Sequence, residues 1–180
     1  MRFSALIDSV FSAGPPSLGL EKRPGTLSAA AVREAVASLA EDPSLKRHPD
    51  RDGLILLEGI ALLWHDHWEA AHEIAQAREG QADFDLLHAM VHRREGDYPN
   101  ANYWFAGAGK HPCYPMIGIF SGSRVAGSLP AEFFSPGWSP GAFVSAVKRQ
   151  AGKPGPERET LRLIQAAESQ ALAEWILQNR

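Results

Sequence analysis

Histidines gather in the middle of this chain. Six of the seven, His65, His67, His72, His88, His92 and His111, fall between positions 65 and 111. Imidazole is the commonest transition-metal ligand and the usual proton carrier near neutral pH, so clustering raises metal and acid–base chemistry together. His88 and His92 stand four apart in the stretch LLHAMVHRREGDYPNANYWF, residues 86 to 105. On a helix that spacing puts both rings on one face, with Cβ atoms about 6 Å apart. His65 and His72 are seven apart, two turns of a continuous helix, with Trp68 and Glu69 on the same side. Antiparallel packing of the helices that carry the two pairs would bring His65, Glu69, His72, His88 and His92 to one polar pocket. A His-x3-His pair completed by a His or carboxylate from a neighbouring helix suits Zn or non-haem Fe. Arg93, Trp104 and His111 are the candidates for its rim, as anion clamp, stacking surface and extra ligand.

A plainer reading stands beside this one. Histidine also fills core positions by hydrogen-bonding a carbonyl or carboxylate, and Asp85, Glu69, Glu73 and Glu95 are within reach in sequence. Arg93 and Arg94 suit the last turn of a helix, where positive charge meets the dipole. Several sharper motifs are absent. HEIAQ at 72–76 begins like a zinc-protease helix, but Gln76 stands where the second ligand belongs. His65-Asp66 is similar to the adjacent His and Asp of all-helical metal phosphohydrolases, for which only His48, His88, His92 and Asp97 are on offer as the further ligands. No phosphate-binding Gly-rich loop or nucleophile elbow is present, and nothing around Cys113 suggests an activated thiolate.

The elements that must position these residues are helical. Ser28 or Thr26 caps a helix whose Val32, Ala35, Val36 and Leu39 share one face. LILLEGIALLW reads as a buried helix, DHWEAAHEIAQAREG as a second closed by Gly80, ADFDLLHAMVHRREG as a third closed by Gly96, and DYPNANYWFAGAG as a fourth. In the last, Phe105 is the aromatic expected inward. Residues 113–140 are rich in Gly, Pro and Ser and read as one long loop packed down by aromatics. Ser139-Pro140 then opens a helix, and a long amphipathic helix closes the chain. With no convincing strand pair, the class is all-α. The chain, 180 residues with 44% apolar and 22% charged side chains, suits a single globular domain over 1–180.

Bulk properties narrow the partners. A net charge of −3 gives no basic face for nucleic acid, and no run approaches the roughly 18 apolar residues of a membrane span. One cysteine excludes an internal disulfide and fits a reducing compartment. The N-terminal MRFSALIDSVFSAGPP is broken by Asp8 too early for a secretory signal, so the expected location is cytoplasmic.

Internal similarity points further. Gly59 is followed twelve residues later by Ala71 and then Ala75, and Ala89 twelve later by Ala101 and then Phe105. The second unit, EGDYPNANYWFAGAGKHP, resembles a tetratricopeptide repeat: Ala101-x3-Phe105 follows its second-helix pattern and Pro112 sits near its closing proline. The resemblance covers about residues 53–112, and the whole block also looks like small bacterial proteins of unassigned function. It implies tetratricopeptide-like antiparallel hairpins, closed here by N- and C-terminal helices with the 113–140 loop and the 141–180 helices after them. The period is 30 rather than 34 residues, and Asp85, His88 and His92 replace the family's large core residues. Three functions follow as expectations: a protein binding a small molecule or metal ion in a His-rich pocket, an interaction scaffold with structural histidines, or a metal-dependent hydrolase. A homodimer through the final helix is compatible with each.

Overall fold

Caps and left-handed residues set the helix ends. The structure, a computed structural model, describes residues 9–45, 47–127 and 129–180, and the N-terminal residues 1–8 read above as mature chain lie outside them. Ser28 accepts from the Ala31 amide at 3.2 Å to start α1 (Ala29–Ser38), and Asp50 accepts from Gly53 at 2.7 Å to start α2 (Arg51–Trp64). After α3 (Trp68–Gln76) and α4 (Ala82–Glu95), Gly96 adopts φ 84°, the left-handed closure that glycine takes without a Cβ penalty. Asp97 at once caps α5 (Tyr98–Ala108), so this tight connection folds α5 back along α4. The chain is all-helical, with no strand among the described residues.

Residues 113–140 are not one loop, as their composition suggested. They contain α6 (Tyr114–Gly122) and the short α7 (Ala131–Phe134). Propensity misleads here because packing supplies the stability: α6 lies against the last helix, with Ile117 and Ser121 fully buried. Gly118 also leaves room for Phe134, whose ring would sit 3.6 Å from an added Cβ. Pro140 in the first turn of α8 (Pro140–Arg149) and Pro156 in that of α9 (Pro156–Asn179) follow the expected pattern. α3 ends four residues before Gly80, which instead closes the turn beyond it.

Two apolar cores result. The larger joins α1 to α5 with Leu172, Ala173 and Ile176 of α9. The smaller joins Leu18, Phe133, Phe143, Ala146 and Val147 to Leu161 and Ile164, so α9 serves both. Between Ile164 and Glu174 every residue of α9 is buried. This helix therefore lies inside the protein, and its middle has no apolar stripe left for a second chain. α2 and α4 meet closely at Gly59: a Cβ there would lie 2.5 Å from Leu87 Cδ2 and 3.1 Å from Ile74 Cγ2.

α4 is buried almost all round, and its polar residues are covered with its apolar ones. Such burial requires partners for each charge. Arg93 lies at 1% exposure, its Nη1 3.1 Å from Glu168 Oε1 and its Nη2 against Glu168 Oε2, with the guanidinium 4.7 Å above the Phe143 ring. Arg94 donates to Asp66 Oδ1 at 2.8 Å and to the Gly19 and Leu63 carbonyls. Asp66 also accepts from Arg23, which binds the carbonyls of Ala13, Gly14 and Pro15 and so straps the N-terminal segment to the end of α2. No described helix is long and apolar enough to cross a membrane.

Candidate metal centre

Three imidazoles meet where α3 crosses α4. His72 comes from the middle of α3, and His88 and His92 come from successive turns of α4, as their spacing requires. His88 and His92 stack with ring centroids 4.6 Å apart at 25°, while the His72 ring stands edge-on to both, at 4.8 and 5.0 Å. One nitrogen from each ring lies within 4.8 Å of the other two, and no carboxylate or thiolate among the described residues joins the group. His72 Nε2 and His88 Nε2 lie 3.0 Å apart. His88 and His92 are buried and His72 is half-buried, so the cluster has one side toward solvent.

Each ring has a distinct surrounding. His92 Nδ1 donates to Glu95 Oε2 at 2.6 Å, one turn further along α4. Its Nε2 therefore carries the lone pair, which accepts from Asn100 Nδ2 at 3.1 Å across the α4–α5 turn. A carboxylate behind a histidine is the arrangement that fixes the tautomer of metal ligands and raises their basicity. His88 is covered by the Trp104 indole, stacked at 4.2 Å and 22°. Its Nδ1 is buried and has no hydrogen-bond partner. Burial, then the neighbouring His92 and His72, push the His88 pKa down to about 4, so its ring is neutral at pH 7 with a lone pair to give.

The donor set fits a transition metal. Tetrahedral Zn with Zn–N bonds near 2.0–2.1 Å separates its ligand nitrogens by roughly 3.3 Å, close to the 3.0 Å between His72 Nε2 and His88 Nε2 and within the 4.8 Å that spans the group.

The other sequence candidates lie elsewhere. His65 terminates α2 and is turned away from His72, because the helix breaks at Asp66 (φ 66°) and the seven-residue spacing does not span one helix. Its Nδ1 accepts from the Leu27 amide at 3.1 Å and its Nε2 donates to the Val10 carbonyl at 2.8 Å, leaving no lone pair for a metal. Burial lowers its pKa, against the opposing hydrogen bond to Val10. His111 is similarly consumed: Nε2 donates to Asp83 at 2.7 Å and Nδ1 accepts from the Cys113 amide at 3.2 Å. Arg93 belongs to the buried Glu168 pair and is not at a rim. Glu69 is exposed and outside the ligand group. Cys113 is buried, which pushes its thiol well above the usual range. Trp104 does adjoin the cluster, as a wall behind His88. Asn100 was missed at the sequence level; the signal available was its place four residues past Gly96, where a tight hairpin returns the chain to His92.

No family model, no curated protein and no solved structure matches the chain. The geometry alone defines what it carries: a helical scaffold with a largely buried His triad capable of binding a metal ion.

Proposed function

We propose that the protein binds a divalent transition metal, zinc foremost, through His72, His88 and Nε2 of His92. The observation that carries this is the convergence of three imidazoles from two helices on one point, with the His88 Nδ1 orphaned beside it. Purely structural histidines are tied one by one to carbonyls or acids, as His65 and His111 are. In the cluster, by contrast, His72 and His88 have chiefly each other. Glu95 supplies the second shell on His92.

Three protein nitrogens leave a fourth position for water or another small ligand, which is the composition of catalytic zinc sites rather than closed structural ones. A metal-dependent hydrolase is therefore the elaboration that this donor count favours. The scaffold reading draws on the paired hairpins α2–α3 and α4–α5 and on the close approach at Gly59, which suit tetratricopeptide-like units. In it the histidines are core hydrogen-bonders, as His92 is with Glu95 and Asn100, and the unpartnered His88 Nδ1 has no role.

Elemental analysis tests the metal reading directly. Protein expressed in zinc-supplemented medium should hold close to one metal per chain, and chelation should lower its melting temperature. Substituting His72→Ala should remove the metal, while His111→Ala should keep it. Less than about one tenth of a metal per chain, with no melting shift on chelation, overturns the proposal.

A further inference from the structure

We infer that the fourth position of this site selects a small oxyanion, and that the Asn100 side-chain amide is the residue that recognises it. The inference rests on the metal reading above. Two independent observations lead to it, one of charge and one of geometry.

The charge observation is simple. A divalent ion held by three neutral imidazoles brings two positive charges to a site where His88 and His92 are buried, and Glu95, behind His92, offsets one of them. No carboxylate among the described residues reaches the ligand group. A partly desolvated cation favours an anionic partner over a neutral one, so hydroxide, carboxylate or phosphate is preferred at the remaining position.

The geometry places a donor at that position. Because Nδ1–H donates to Glu95, His92 Nε2 is the lone pair that the metal must use. Asn100 Nδ2 already lies 3.1 Å from that lone pair. When a metal takes it, the amide loses its acceptor and has to turn its N–H groups off that line, since an ion bound at about 2.0–2.1 Å cannot share it with a nitrogen 3.1 Å away. An oxygen bound to the metal restores an acceptor for them. Asn100 is half-buried at the start of α5, where Asp97 accepts from its backbone amide at 3.2 Å, so the backbone that carries the side chain is fixed in a capped helix turn. Preorganised amide donors aimed at a metal-bound oxygen stabilise negative charge there. Trp104 closes the His88 side, which leaves the half-exposed His72 side as the entry.

The test uses the full chain loaded with Co2+, whose visible spectrum reports the coordination sphere. Acetate and inorganic phosphate are titrated into wild type, Asn100→Leu and His72→Ala. The expected result is a spectral change that saturates in wild type, with affinity reduced roughly ten-fold or more in Asn100→Leu at unchanged cobalt stoichiometry. Failure of wild type to take up cobalt sinks the metal reading itself. Cobalt uptake with no spectral response to either anion overturns the oxyanion inference alone, as does an Asn100→Leu affinity equal to wild type. An altered anion-free spectrum in Asn100→Leu would make Asn100 a metal ligand, and it too overturns the inference. Should Asn100→Leu fail to fold, Asn100→Ala supplies the same reading, because it removes the amide donors without adding a group that can bind the metal.

Discussion

His72 Nε2 and His88 Nε2 face each other at 3.0 Å across the α3–α4 interface. Neither two lone pairs nor two N–H groups can be neighbours at that distance, so one proton lies between the rings. A metal ion bound through both of these nitrogens would need both lone pairs, so the proton between the rings would shift to the Nδ1 of its own ring.

Acid should destabilise the metal-free chain through His88. Its folded pKa is depressed to about 4, whereas the unfolded imidazole titrates near 6.5. Below pH 6.5 the unfolded state takes up a proton that the folded state refuses, so stability is complete above 6.5 and falls as pH drops toward 4. The loss is at most roughly 3 kcal/mol, because each pH step of one between those two values is worth about 1.4 kcal/mol. Urea midpoints of chelator-treated protein at pH 7, 5.5 and 4.5 measure it. A slope that is unchanged in His88→Leu would assign the acid sensitivity to other groups.

Glu95→Gln should weaken zinc binding by about 10–100-fold while leaving one metal per chain at saturation. The substitution keeps the shape and removes the charge behind His92 Nδ1. Competition with a chromophoric chelator gives the ratio; equal affinities would show that the carboxylate does not tune the site.

Breaking the buried Arg93–Glu168 pair should cost more than deleting it. Glu168→Gln leaves an uncompensated guanidinium at 1% exposure, and a loss of about 3–5 kcal/mol is expected. Arg93→Met combined with Glu168→Leu should recover most of that, since both residues lie among apolar groups. Denaturation of Arg93→Met, Glu168→Leu and the double variant closes the cycle, and an additive outcome would show the charges to be independent.

Gly59→Ala should destabilise by about 1–3 kcal/mol, because Leu87 and Ile74 must both give way to the new methyl. Thermal melts against an Ala70→Gly control, on half-buried helix surface, separate this from helix propensity, which favours alanine.

The helices and their caps were readable from sequence because they depend on local chemistry: Ser28, Asp50, Gly96 and Asp97 act within a turn of their own position. His88 and His92 were readable for the same reason, as a four-residue spacing on one helix. His65 was placed wrongly because the seven-residue rule assumes an unbroken helix, and Asp66 breaks it. The partners of Arg93 and Arg94 were beyond reach. Glu95 and Asp97 are near in sequence, yet the helix buries both guanidinium groups against Glu168 and Asp66, 75 and 28 positions away. Helix α6 was hidden because its stability comes from α9, which lies some 40 residues further on and has no local trace in a Gly- and Pro-rich stretch.

The burial of α9 bears on the order of synthesis. Both cores use this helix, and every other helix described leaves the ribosome before it does. Until α9 emerges, Glu168 is not there to meet Arg93, and the apolar faces of α2, α6 and α8 lack a cover. The nascent chain must therefore hold an open cleft lined by a lone arginine, a waiting state in which chaperone capture or premature association has its best opportunity. Among the described helices, the last one made is what joins the earlier hairpins into one packed body.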